Sequence, residues 1–414
     1  MLSQDRLIYE SKHFCMMPWV QLHLWPAGQA FPCCQWDSEK PVGTYGAGQG
    51  LHELWNAPAM QAARSEMLED RPVAACTRCY DVEAQGLPSM RQASLDAFPH
   101  HWDLVQKTTH AGRTLENRMA YLDIRFSNRC NLRCQTCGPE LSSGWYEDQT
   151  ALFGQPPHAK ILEVGPHDQL WSELLPQLRH VEHAYFAGGE PLICDEHYRI
   201  LDHWLEIGRT GVRINYTTNF TLLEHKHARV LDYWKRFPNV RVSASLDDSG
   251  ARAEYLRKGT SWAVIEKNRE RMLQECPGTP FEITPTISAF NVWHFPEFHL
   301  DWVERGFIGP ADAVINILTY KPEHSMRVLP TAFKREVADK WRDYGARLAS
   351  IARTRGADVA KVEASYQAVI DHLLGRDDSA LLPEFFRRMD QVNKVRHEDV
   401  FAVYPELKRV WEQA

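Results

Sequence analysis

Long apolar runs are missing from this chain: no stretch reaches the length of a membrane span. Basic runs are missing as well. Lys plus Arg number 47 against 54 Asp plus Glu, a net charge of −7. A mildly acidic chain without a basic stripe argues against nucleic acid as its main partner, although a nucleotide-sized substrate still fits. Internal repeats and low-complexity segments are also absent. The opening residues, Met1 to Arg6, have no signal-peptide pattern, so a cytoplasmic location is expected. There thiols stay reduced, and clustered cysteines mean metal more often than disulfides.

What is present is ordinary globular material, 44% hydrophobic and 24% charged over 414 residues, room for two to three domains. Its cysteines are not spread evenly. Eight of the ten fall into two groups. The first comprises Cys15, Cys33, Cys34, Cys76 and Cys79, in a segment rich in turns at Gly43, Gly46, Gly48 and Gly50. Leu51 to Asn56 and Met60 to Leu68 supply one short amphipathic helical stretch. So little helical core calls for a metal staple. The second group is Cys130, Cys134 and Cys137, spaced C-x3-C-x2-C. It follows an alternating apolar run, Asp123 to Phe126, that reads as a strand breaking into a loop at Ser127-Asn128. Three thiolates can hold an iron–sulfur cubane and leave one iron open, whereas four would close it. A zinc knuckle, or three unrelated thiols, is the alternative from spacing alone.

From Arg118 the pattern becomes strands alternating with amphipathic helices. Strands are expected at Tyr121–Ser127, His183–Ala187, Arg213–Thr217, Arg241–Leu246, Phe281–Ser288 and Ala313–Leu318. Helices are expected at Gln169–Leu178, Glu196–Ile207, Leu222–Phe237 and Trp262–Glu275. Such alternation argues for parallel strands with right-handed crossovers. Beyond Pro330 the chain reads as helix, over Phe333–Ile351, Ala360–Leu373 and Leu382–Val395.

The C-x3-C-x2-C loop after a first strand resembles the hallmark of the radical S-adenosylmethionine (radical SAM) superfamily. One residue departs from the usual pattern: Thr136 stands where a bulky side chain commonly precedes the last cysteine. The resemblance implies an open (β/α)6 partial barrel over residues 118–322, following a small module over 1–117 and preceding a helical tail over 323–414. It implies a [4Fe-4S] cluster on Cys130, Cys134 and Cys137, whose open iron binds SAM. Gly188-Gly189-Glu190-Pro191 at the end of the second strand is similar to the family motif that holds the SAM amino group. Thr218 and Asn219 resemble its ribose contact, and Ser243 and Ser245 alternate onto one strand face for ribose or carboxylate. Arg257, in an R-x-G segment, is similar to the arginine that meets the SAM carboxylate. Ile287 and Asn291 resemble the adenine contacts, although core packing explains Ile287 equally well. Asp247 could serve the substrate or cap a turn.

The first cysteine group, C-x12-G-x4-C followed by C-x2-C, looks like the auxiliary-cluster module called twitch in its one-cluster form and SPASM in its longer one. In most such proteins the module follows the barrel; here it precedes it. The resemblance implies ligands Cys15, Cys33, Cys76 and Cys79, with Cys34 as the rival to Cys33, around a second [4Fe-4S] cluster. An all-cysteine zinc site remains the alternative. Glu83 and Arg91 read as a surface ion pair, with facing the active site as the other reading, and His100, His101 and His110 read as exposed rather than as ligands. Cys194 and Tyr320 are candidate hydrogen-atom donors to a substrate radical, with core packing as the other reading for Cys194 and for Cys276. The function expected from the resemblance is reductive cleavage of SAM and hydrogen abstraction from a peptide, protein side chain or small metabolite. The auxiliary cluster would accept an electron, and a flavodoxin or ferredoxin would supply one. Epimerisation or methyl transfer with a structural auxiliary cluster is the second reading, and an inactive metal-stapled binding protein the third.

Overall fold

The computed structural model describes residues 2–156 and 158–412. The chain divides into two compact units. The first holds the segment ending at Asn128, with Ile161–Asn215 and Phe237–Asn239; the second holds Arg129–Lys160, Tyr216–Arg236 and the chain from Val240 onward.

In the first unit a sheet is built outward from a central strand. Strands β1 (His23–Leu24), β2 (Gln29–Phe31) and β3 (Gly43–Thr44) form an antiparallel meander. Gly28 turns the first hairpin at φ +84°, where a Cβ would lie 2.9 Å from the Tyr45 carbonyl, so glycine is required. β1 then pairs in parallel with β4 (Tyr121–Ile124), and β4 in parallel with β5 (His183–Phe186). All four β4 residues are buried. The sequence reading separates the cysteine module from the first barrel strand, whereas the structure lays the module's hairpin directly beside that strand. Helices His167–Leu178 and Asp195–Glu206 cover this unit, burying Leu170, Leu174 and Leu178 from one and Ile200, Leu201 and Trp204 from the other.

In the second unit β6 (Val240–Ala244) pairs in parallel with β7 (Phe281–Ile283). The single strand expected over Phe281–Ser288 breaks at Pro285, which has no N–H to give a ladder. Its second piece, Thr286–Ile287, pairs in parallel with Asn316–Ile317. The helix expected over Leu222–Phe237 is shorter. Its first half is a hairpin, Glu224–His225 against Ala228–Arg229, turned at Lys226 with φ +53°, and only Val230–Trp234 is helical. Trp262–Glu275 forms as expected.

The C-terminal segment is helical at Thr331–Arg355, Val359–Gly375 and Leu382–Arg396. Gly356 ends the first of these in the left-handed conformation at φ +65°, and Asp358 caps the next by accepting from the Lys361 N–H. No helix among the described residues is long and apolar enough to cross a membrane.

Candidate metal centres and their surroundings

The auxiliary group is assembled by three local devices in the first unit. Cys15 lies just before the turn Met17–Val20, Cys33 follows β2, and Cys76 and Cys79 flank the start of the helix Thr77–Ala84. Together these four line one small cavity, with Met67, Met90, His13, Tyr80 and Arg91 around it. Cys15, Cys33 and Cys79 are buried and Cys76 half-buried. Burial pushes the Cys15 thiol up to about 11, with further upward pressure from Cys79. Burial does the same to Cys33 and Cys76, and their neighbouring thiols add to it. Four thiols lining one cavity, three of them (Cys15, Cys33 and Cys76) held in the neutral form by burial, are a donor set that fits a multivalent cation.

Cys34 faces elsewhere. Burial lifts its thiol to about 11 as well, but its next influences are Asp123 and Arg125 on and beyond β4, and it does not line the cysteine cavity. Cys33 is therefore the member of the pair that the structure brings together with Cys15, Cys76 and Cys79. Beside Cys34 lies a buried ionic cluster. Asp123 is 3.1 Å from His23 Nδ1 and 2.8 Å from Arg125 Nε. Burial pushes the Asp123 carboxyl up, but Arg125 and then His23 outweigh it and hold it below the usual carboxylate range.

Glu83 and Arg91 are not a surface pair. Arg91 Nη2 donates to Glu83 at 2.6 Å with side chains only 7% and 15% exposed. Arg91 Nη1 donates to the carbonyls of Ser11 and Phe14, at 3.1 and 3.0 Å. The pair thus braces the backbone leading into Cys15. His101 likewise departs from expectation. It is buried, and it shares the Glu182 carboxylate with His100, each at 2.9 Å.

In the second unit the loop cysteines are half-buried. The Cys137 N–H donates to the Cys134 carbonyl at 3.0 Å, and Cys130 Sγ accepts from the Leu132 N–H at 3.5 Å. Asn219 approaches this loop, donating to Asn131 Oδ1 at 2.8 Å and lying 4.0 Å from Cys130 Sγ. The segment Arg257–Lys258 pairs antiparallel with Arg133–Cys134, with Arg257 opposite Cys134. Gly259 permits that approach: at φ +103° its Cβ would meet the Asn131 carbonyl at 2.9 Å. Arg257 contacts Cys134 Sγ at 3.7 Å through Nη1 and holds Asp247 at 2.8 and 3.1 Å through Nε and Nη2. Burial disfavours its charge, but Asp247 and then Cys134 outweigh that and keep it cationic.

The other residues read from the sequence are placed as follows. Gly188 sits at φ +132° and Gly189 donates to the Ser127 carbonyl. Glu190 is buried and accepts from the Leu192 N–H, with Pro191 opening that turn. Thr218 is buried and accepts from the Phe220 N–H at 3.0 Å. Ser243 donates to Glu282 at 2.7 Å, and Ser245 is half-buried. Ile287 is fully buried. Asn291 is buried in a turn, bonded to Ser288 and to the carbonyls of Asp247 and Thr286. Asp247 also accepts from the Thr286 N–H. Cys194 Sγ lies 3.1 Å from Glu196, and Cys276 is buried against the Leu231 carbonyl. Tyr320 is exposed, its hydroxyl donating to the Thr136 carbonyl.

Residues 15–80 match the family model described as SPASM, an iron–sulfur cluster-binding domain. Over those residues the chain is similar to a SPASM iron–sulfur domain. The matched span contains Cys15, Cys33, Cys34, Cys76 and Cys79. The chain is also similar to a tungsten-containing aldehyde ferredoxin oxidoreductase cofactor-modifying protein of Pyrococcus furiosus. They are 33% identical over 106 residues, 25% of this chain and 25% of that protein. Among solved structures it is similar to native anSMEcpe with bound AdoMet and a Cp18Cys peptide, at 17% identity and TM-score 0.37, covering 54% of this chain and 59% of that one. It is similar to Streptococcus suis SuiB bound to the precursor peptide SuiA as well, at 12% identity and TM-score 0.37, covering 85% and 74%. The chain thus spans about a quarter of the curated relative it matches.

Proposed function

We propose that this chain is a radical SAM enzyme that cleaves S-adenosylmethionine reductively and abstracts a hydrogen atom from its substrate. The observation that carries the reading is the separation of two cysteine sets by design. One set of four converges on an enclosed cavity in the segment similar to a SPASM domain. The other set of three sits on a half-buried loop with one cluster position left for a ligand. When bound, the loop cluster would supply the single electron that splits SAM into methionine and a 5′-deoxyadenosyl radical.

The residues of the chain then have distinct tasks. Cys130, Cys134 and Cys137 hold the loop cluster, and Cys15, Cys33, Cys76 and Cys79 hold the auxiliary one. Arg257 keeps a fixed positive charge against Cys134. Gly188, Gly189, Glu190, Pro191, Thr218, Asn219, Ser243, Ser245 and Ile287 keep, as proposals, the SAM contacts implied by the resemblance. Arg257 and Asn291 keep theirs as well, the Arg257 guanidinium being also held by Asp247 and Cys134 and the Asn291 amide by its turn. The substrate is a peptide, a protein side chain or a small metabolite, modified oxidatively, with the auxiliary cluster as electron acceptor and a flavodoxin or ferredoxin as donor.

Anaerobically loaded protein given SAM and a strong reductant should form 5′-deoxyadenosine and methionine in equal amounts. Full iron loading with neither product would leave only the metal-stapled binding protein.

A further inference from the structure

Five consecutive carbonyls of the cysteine loop are each taken by a side chain. Arg396 Nη2 donates to the Arg133 carbonyl at 2.8 Å, and Trp145 Nε1 to that of Cys134 at 2.7 Å. Lys321 Nζ donates to Gln135 at 3.2 Å and to Cys137 at 2.8 Å, and the Tyr320 hydroxyl to Thr136 between them. Three of these four donors lie far along the chain, in the segment from Tyr320 to Arg396. Arg396 is fully buried, ion-paired to Asp148 at 2.7 Å, and its guanidinium lies 4.7 Å from the Trp145 ring. Lys321 Nζ lies 5.8 Å from the same ring. A loop whose carbonyls are all occupied from outside cannot turn them toward its own sulfurs.

We propose that Lys321 is a positioning residue for the loop cluster: held by the Gln135 and Cys137 carbonyls, its ammonium fixes the third cysteine and raises the potential at which the cluster takes up an electron. The inference rests on reading the loop as a cluster site. Cluster potentials follow net charge, hydrogen bonding and solvent exposure, and groups beyond the ligands orient them. Lys321 acts through charge and hydrogen bonding: it brings a positive charge to the backbone of Cys137 and ties the loop at the Gln135 and Cys137 carbonyls.

The test is a potentiometric titration of the whole protein followed by electron paramagnetic resonance, with iron content measured alongside. The wild type should show two reduction waves, and the wave lost in Cys134→Ala identifies the loop cluster. In Lys321→Met that wave should move to a more negative potential, the other should stay, and Lys321→Arg should restore the first. Lys321→Gln keeps a donor for the carbonyls but loses the charge, so it shows the shift even where the methionine variant loses its loop iron. Both waves unmoved in fully loaded Lys321→Gln, or a shift that Lys321→Arg does not reverse, overturns the proposal. A wild type with a single wave that persists in Cys134→Ala instead overturns the reading of the loop itself.

Discussion

Arg257 lies opposite Cys134 in a two-stranded pairing and reaches back to place Nη1 3.7 Å from its sulfur. The same guanidinium holds Asp247, itself only 3% exposed, through two further nitrogens. The buried carboxylate thus faces one cation, with the Thr286 N–H as a further donor. Removing that cation in Arg257→Met should destabilise the protein by about 3–5 kcal/mol in urea unfolding. The double variant Asp247→Asn/Arg257→Met should recover much of the loss. Equal stability of the single and double variants would show that Asp247 finds its compensation elsewhere.

Iron counting separates the two cysteine sets. Anaerobically reconstituted wild type should bind about eight irons per chain, and Cys76→Ala/Cys79→Ala about four. Cys34→Ala should keep about eight, because Cys34 does not line the cavity that Cys15, Cys33, Cys76 and Cys79 share. If Cys34→Ala loses a cluster while Cys33→Ala keeps both, the ligand assignment is reversed.

The Glu83–Arg91 pair braces Ser11 and Phe14 rather than decorating the surface. Loss of an outer partner costs metal sites about 10–100-fold in affinity. Arg91→Met should therefore weaken iron retention at the auxiliary site by that order under chelator challenge. The loop cluster, measured through the wave lost in Cys134→Ala, should be unaffected.

His299 gives the protein an acid sensitivity of definite sign. It is buried, its Nδ1 lies 3.0 Å from the Tyr366 hydroxyl, and burial drops its pKa from 6.5 to about 3. The folded state therefore keeps the ring neutral while the unfolded chain takes up a proton, so stability is lost as pH falls. The loss begins as pH drops through about 6.5 and levels off below about 3. His299→Phe should flatten the stability profile across that window in urea titrations. An unchanged slope would mean that other groups carry it.

Much of this was readable from the residues. The cysteine spacings, the alternation after Arg118 and the C-terminal helices all follow from local pattern, whereas the spacing left Cys34 a rival to Cys33. What was not readable depends on distance along the chain. Nothing local joins Lys321 or Arg396 to a loop near residue 135. The one available signal was Arg396 itself, which continues the buried stripe of Phe385, Met389 and Val392 at helical spacing and so had to find a partner inside. Arg257 and Asn291 were matched by resemblance to cofactor contacts, and their ties to Asp247, Cys134 and a turn became visible only in the fold. Glu83 and Arg91 looked like a surface pair because nothing in eight residues of sequence reveals the backbone that folds over them.

The account stands most directly on the loop cysteines as the site of SAM cleavage. Release of 5′-deoxyadenosine should be measured side by side in wild type, Cys134→Ala and Cys76→Ala/Cys79→Ala, each incubated anaerobically with SAM and a reductant. The account predicts release from wild type and from the auxiliary double variant, and none from Cys134→Ala. Release from Cys134→Ala at the wild-type level would contradict it.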